Sequence, residues 1–120
     1  MRRIAFLFPG QGSQTVGMAS DLHESSQDVR DLYERASEAI DFDLAAVSFG
    51  GPEEELTRTD NAQPALLVAG VAAMSELARR EVEPWAVAGH SLGEYTALVA
   101  AGSLDFEDAV RAVRERGRLM

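Results

Sequence analysis

The string Gly89-His90-Ser91-Leu92-Gly93 constrains this chain more than any other feature. The short apolar run Trp85-Ala86-Val87-Ala88 precedes it, and the helix-like stretch Glu94 to Ala101 follows. Strand, G-x-S-x-G, helix is the pattern of a nucleophile elbow. A serine in so sharp a turn needs neighbours two positions away that carry almost no side chain. Glycine, which lacks Cβ, meets that need. The turn projects the serine oxygen, and the helix behind it offers unbonded N–H groups and the positive end of its dipole. These are the parts of acyl transfer through a covalent ester.

With 120 residues the chain is read as one domain, 1–120. An apolar fraction of 46% is enough for a packed core. A net charge of -9 argues against nucleic acid as a partner, because phosphate binding wants a basic face. The absence of cysteine excludes disulfides, thiolate metal sites and a cysteine nucleophile, and no metal site is expected. All 11 basic residues are arginine, so a P-loop, which needs its lysine, is excluded as well. Arg2-Arg3 followed by Ile4 to Phe8 imitates a signal peptide, but the apolar run stops too soon, at Pro9-Gly10. The longest apolar run, Pro64 to Met74, falls well short of the ~20 residues of a membrane span. A cytoplasmic protein without a membrane partner is expected.

Ile4 to Phe8 reads as a buried strand of a parallel sheet, and Pro84 to Gly89 as the second strand. Asp28 to Ile40 reads as a helix, with Leu32, Ala36 and Ile40 at helical spacing and Asp28 as its N-cap. Gly50-Gly51 breaks the chain. Pro52 then suits a first helical turn, followed by Glu53-Glu54-Glu55 at its positive end. A long buried helix begins at Asn61 or Pro64 and runs to Arg80. Two more follow, Leu92 to Ala101 and Asp105 to Met120. Two strands among so many helices are few for an open α/β sheet, which has about five or six. The reading is therefore of the first part of a larger α/β domain.

Ser91 needs a base, and the chain offers only His23 and His90. His90 is the immediate neighbour of Ser91 and points elsewhere, which suits a structural role. His23 has no local signature and reads as a surface residue. The loop Gly10-Gln11-Gly12-Ser13-Gln14 follows the first strand. A dinucleotide loop would need glycine where Thr15 stands. If the two strands are parallel neighbours, this loop and the elbow meet at one sheet edge. The N–H near Gln11 and that of Leu92 can then hold a developing oxyanion; a plain tight turn is the alternative. In the last helix Phe106, Ala109, Val110, Val113, Gly117 and Met120 form the apolar stripe. Arg111, Arg114 and Arg118 fall on the solvated side, and Arg116 at the border of the stripe. A guanidinium there needs a carboxylate, from the protein or from a substrate.

These segments together resemble the malonyl-CoA:acyl carrier protein transacylase family. The matching residues are Phe8-Pro9-Gly10-Gln11-Gly12-Ser13-Gln14, Gln63-Pro64-Ala65-Leu66-Leu67, Gly89-His90-Ser91-Leu92-Gly93-Glu94-Tyr95 and Arg116-Gly117. The resemblance implies the helix-rich N-terminal part of a parallel-sheet α/β hydrolase-like acyltransferase domain, with later strands and a ferredoxin-like subdomain lying past residue 120. It implies Ser91 as nucleophile, the N–H groups of Gln11 and Leu92 as oxyanion hole, and Arg116 on the malonyl carboxylate. Gln63 and Met120 are implied to line the acyl pocket. The substrates are then malonyl-CoA and phosphopantetheinylated acyl carrier protein, in ping-pong order, with no bound cofactor. The family's catalytic histidine also lies past residue 120, so residues 1–120 alone are expected to be nearly inactive.

Three alternatives stand beside this one. A serine esterase or thioesterase shares the elbow, but usually has several earlier strands and an H-G-G-G-type loop. A polyketide synthase acyltransferase fragment shares G-Q-G-S-Q and G-H-S, although Met1 a few residues before the first strand suits a free-standing enzyme. A non-catalytic fragment that folds with a partner is the third. An acidic carrier protein finds no attraction in a charge of -9. Arg111, Arg114 and Arg118 form either a docking strip or, the better reading, a solvated helix face.

Overall fold

The sheet is built from two four-residue strands, β1 (Ala5–Phe8) and β2 (Ala86–Gly89), paired in parallel with Ala5 opposite Ala86 and Phe8 opposite Gly89. The structure is a computed structural model that describes residues 2–120; the position of Met1 lies outside the described residues. The strands are the parallel neighbours that the loop argument requires. β2 begins two residues later than Pro84, which has no N–H to give a ladder. The pairing is led in instead by the Trp85 N–H, which donates to Ile4 O at 2.7 Å.

The first strand was expected to be buried, and β1 is buried on one face only. Phe6 and Phe8 point inward against Met74, Ala97 and Ala100, whereas Leu7 is 77% exposed. Side chains alternate along a strand, and among the described residues helices cover only one face of this sheet.

Among the described residues seven helices complete the order: α1 (Ser20–Ser25), α2 (Gln27–Ile40), α3 (Leu44–Gly50), α4 (Glu53–Thr57), α5 (Thr59–Arg79), α6 (Leu92–Ala100) and α7 (Phe106–Leu119). α1 buries no residue and so leaves no apolar period in the sequence. α3 is short and almost wholly apolar, with its N-cap at Asp43, whose Oδ1 accepts from Ala46 N–H at 3.0 Å. The cap of α2 is Ser26, not Asp28: the Ser26 hydroxyl accepts from Val29 N–H at 3.3 Å. Asp28 sits in the first turn, where its charge still meets the helix dipole. Pro52 takes the cap position of α4 rather than its first turn, and Glu53, Glu54 and Glu55 form that turn.

α5 is the central element, packed against α2, α6 and α7, and Asn61 to Val68 are all buried. It starts at Thr59, before either expected boundary, and Pro64 lies inside it. Proline has no N–H, so the Asp60 carbonyl one turn earlier loses its helical partner. Arg114 replaces it: Nη1 donates to Asp60 O at 2.9 Å and also to Asn61 Oδ1, with the guanidinium over the Phe42 ring at 4.6 Å. Arg114 is therefore not on the solvated side, where it was expected: at roughly 100° per residue it borders the stripe, as Arg116 does on the other flank. Arg111 and Arg118 remain exposed there.

α7 lies directly on the backbone of α5. A Cβ at Gly117 would come within 2.6 Å of Asp60 Cα and 2.7 Å of Thr59 O, so only glycine allows this approach. Phe106, Ala109, Val110 and Val113 continue the contact into the core. Burying each large side chain of this wall contributes about 1.5–3 kcal/mol.

Candidate active site

Ser91 occupies the turn between β2 and α6, at φ 53° and ψ -112°, a conformation uncommon for a residue with a side chain. The two flanking glycines make the turn possible. A Cβ on Gly89 would lie 2.0 Å from Gly93 C, and one on Gly93 would lie 2.1 Å from Phe8 O. The elbow is thus pressed against the end of β1, and the strain at Ser91, of order 1–3 kcal/mol, is held by that packing.

The loop after β1 meets the elbow at the same sheet edge. His90 N–H donates to Phe8 O at 3.1 Å, and a Cβ on Gly10 would stand 2.7 Å from His90 O. The Gln14 side chain accepts from Gly12 N–H at 2.8 Å, and Gln11 Nε2 donates to Thr59 Oγ1 at 3.1 Å, tying the loop to the start of α5. Among the described residues, neither the Gln11 N–H nor the Leu92 N–H donates to a protein acceptor.

Arg116 faces Ser91 from α7. Its Nη2 donates to Ser91 Oγ at 3.1 Å and its Nη1 to Gln63 Oε1 at 2.8 Å. Gln63 is fully buried on α5, and its Nε2 donates in turn to Met120 Sδ at 3.1 Å. The half-buried Arg116 makes no ion pair among the described residues. Of the two partners expected for it, a protein carboxylate is therefore not in reach. The six residues singled out from the sequence converge on one corner of the molecule, with Met120 at its exposed rim.

Tyr95 is a member of this corner that the sequence reading did not name as a site residue. Its ring lies 5.5 Å from the Arg116 guanidinium carbon. Its place in the first turn of α6, directly after the elbow, was the available signal. Neither histidine bonds to Ser91. His90 is exposed, and His23 is not a surface residue but half-buried, 5.6 Å from the Tyr33 ring and 4.8 Å from Phe49. Aromatic stacking rather than proton transfer explains its place. No group of His, Asp or Glu among the described residues is arranged to hold a metal ion, and no helix is long and apolar enough to cross a membrane.

This arrangement has close counterparts. The malonyl CoA-acyl carrier protein transacylase of Bacillus subtilis (strain 168) is 50% identical over 120 residues, covering 100% of this chain and 38% of that protein. A crystal structure of an acyl carrier protein S-malonyltransferase from Vibrio cholerae O1 biovar eltor superposes with a TM-score of 0.94 at 48% identity, over 99% of this chain and 39% of the other. A malonyl-transacylase solved in complex with its type II PKS acyl-carrier protein superposes at 0.93 and 46% identity, over 98% and 38%. The chain thus spans about two fifths of the length of the relatives it matches, and it corresponds to their N-terminal, helix-rich part with its small parallel sheet. The family model of the acyl transferase domain matches residues 5–120, nearly the whole chain, and the chain belongs to that family.

Proposed function

We propose that Ser91 takes a malonyl group from malonyl-CoA and passes it to the phosphopantetheine thiol of an acyl carrier protein, in cytoplasmic fatty acid synthesis. The observation that carries this reading is Arg116: a half-buried guanidinium with no carboxylate partner among the described residues, held at 3.1 Å from the serine hydroxyl. A cation left so exposed to the nucleophile suits a substrate that brings its own carboxylate. The malonyl-transacylase and acyl carrier protein names of the relatives support the same substrates.

In this reading Ser91 Oγ attacks the thioester carbonyl while the N–H groups of Gln11 and Leu92 receive the negative charge that develops on its oxygen. The C–O bond forms, the C–S bond breaks, and CoA leaves as a thiol with the proton that Oγ gave up. The carrier thiol then attacks the seryl ester; a C–S bond forms, the C–O bond breaks, and the thiol proton returns to Oγ. Gln63 and Tyr95 keep Arg116 over the far carboxylate, and Met120 borders the acyl group. A base outside residues 1–120 moves the proton, in keeping with the family resemblance. The chemistry needs two substrates and no bound cofactor.

The test uses the complete protein. Mixing with malonyl-CoA should leave a malonyl adduct on the peptide that contains Ser91, seen by mass spectrometry. Arg116→Ala should cut malonyl loading by roughly two orders of magnitude while acetyl-CoA still acylates Ser91, because the unpaired substrate carboxylate now carries the cost. Equal loss with both donors would reduce Arg116 to a structural residue. Absence of any seryl adduct in the wild type would end the proposal.

A further inference from the structure

We infer that Arg114 is a positioning residue that sets where Arg116 points, by locking the roll of α7 on α5. The two arginines stand on opposite flanks of one buried stripe. At roughly 100° per residue, each lies about 80° from the centre of the line formed by Ala109, Val110, Val113 and Gly117. Each is gripped by a buried amide of α5, Arg114 by Asn61 and Arg116 by Gln63. The amides are two residues apart on one helix, and so are the arginines on the other.

The Arg114 flank is the more firmly anchored. Pro64 leaves the Asp60 carbonyl without a helical donor, and Arg114 Nη1 fills that place at 2.9 Å. Asn61 is itself fixed, because its Nδ2 donates to Glu55 O at 2.8 Å. Between the two flanks the helices touch through Gly117, which has no side chain to interlock. A contact of that kind resists separation but not rotation. Rotation about it moves the Arg116 guanidinium across Ser91; the buried Phe106, Val110 and Val113 and the Arg35–Glu107 pair oppose it nearer the start of α7, and the two amide–guanidinium grips oppose it at the end that carries Arg116. Removing the Arg114 grip therefore costs orientation at Arg116, although Arg116 bonds to Ser91 and Arg114 does not.

The selectivity part of the test rests on the proposed function, and a structural part does not. Arg114→Met keeps an apolar stem over Phe42 and loses every donor. In the complete protein, the ratio of malonyl to acetyl loading at Ser91 should fall about 10-fold, a loss of the size that sub-ångström to ångström misplacement produces. Arg114→Lys, which keeps one charged donor, should recover part of it. Adding Pro64→Ala to Arg114→Met returns an N–H to the Asp60 carbonyl but not to Asn61 Oδ1; this should restore part of the melting temperature and leave the ratio low. Recovery of both would mean that Arg114 only satisfies a carbonyl, and the inference would fall. An unchanged ratio in Arg114→Met would also overturn it. If the wild type loads neither donor, the proposed function fails, and a crystal structure of Arg114→Met then decides this inference alone. Displacement of Arg116 from Ser91 Oγ and Gln63 Oε1 supports it; contacts at their present distances refute it.

Discussion

Leu67 and Leu7 are the same residue type, yet the first is fully enclosed between helices and the second is 77% exposed on the sheet. The helical region closes on itself: α2, α5 and α7 bury their apolar stripes against one another, and the carbonyl that Pro64 frees finds a donor. The sheet region is covered on one face, with Leu7 and Trp85 open on its surface. The candidate site lies on the seam. Arg116 and Gln63 come from the closed helical wall, and Ser91 from the end of a two-stranded sheet. Arg116 is thus held from a densely packed wall, while Ser91 depends on a few close backbone contacts at the elbow.

The largest effect is expected where those few contacts meet. Gly93→Ala would place a Cβ 2.1 Å from Phe8 O, an atom of the β1 backbone that has no side-chain freedom with which to yield. Overpacking of this kind costs about 3 kcal/mol or more. Urea unfolding should show the loss, and Ser91 should no longer be acylated. A stable, active Gly93→Ala protein would mean that the elbow does not lean on β1, and the contrast between the two regions would lose its basis.

The next comparison is direct. Leu67→Ala, inside the wall, should lower stability by about 2–5 kcal/mol. Leu7→Ala, on the uncovered face of β1, should change residues 1–120 by less than about 0.5 kcal/mol. Paired chemical denaturation curves measure both. Similar losses at the two positions would show that something covers Leu7 in solution.

Which parts of this were legible in the sequence follows from the same contrast. The elbow was readable because its close contacts admit only glycine at Gly89 and Gly93, a demand that stays visible in residue types. The stripe of α7 was readable because one face is buried along its whole length, which imposes a period. The start of α5 was not, because its proline is tolerated through Arg114, 50 residues further along, a tertiary contact that no local pattern announces. The burial of β1 was misjudged for a related reason: an apolar run reports what a strand tolerates, not what covers it. The Arg116–Ser91 contact was half legible. Spacing put Arg116 at the border of the stripe, but the absence of a protein carboxylate beside it needed the assembled neighbours. Tyr95 was missed because a tyrosine at helical spacing is ordinarily core.

The smallest expected effect sharpens how α7 is held. On its buried side Arg114 grips α5, while on its outer side Glu107 forms a two-pronged contact with Arg35 of α2, both bonds at 2.8 Å. The hydrogen bond from Arg35 holds the Glu107 carboxyl below its ordinary range, and the same bond raises the Arg35 guanidinium. A carboxyl whose folded pKa is depressed stabilises the fold above its unfolded value, about 4.3, and that contribution fades as the pH falls through the lower folded value. Arg35 stays charged throughout. Both side chains are substantially exposed, 48% and 30%, so solvent screening limits the pair to less than about 1 kcal/mol. Glu107→Gln should therefore be slightly less stable than the wild type at pH 7, and the difference should close as the pH falls through the depressed folded pKa of Glu107. A gap that persists at low pH would assign the effect to lost packing at the start of α7 rather than to charge. A gap larger than that produced by Arg114→Met at pH 7 would reverse the ranking of the two grips on this helix.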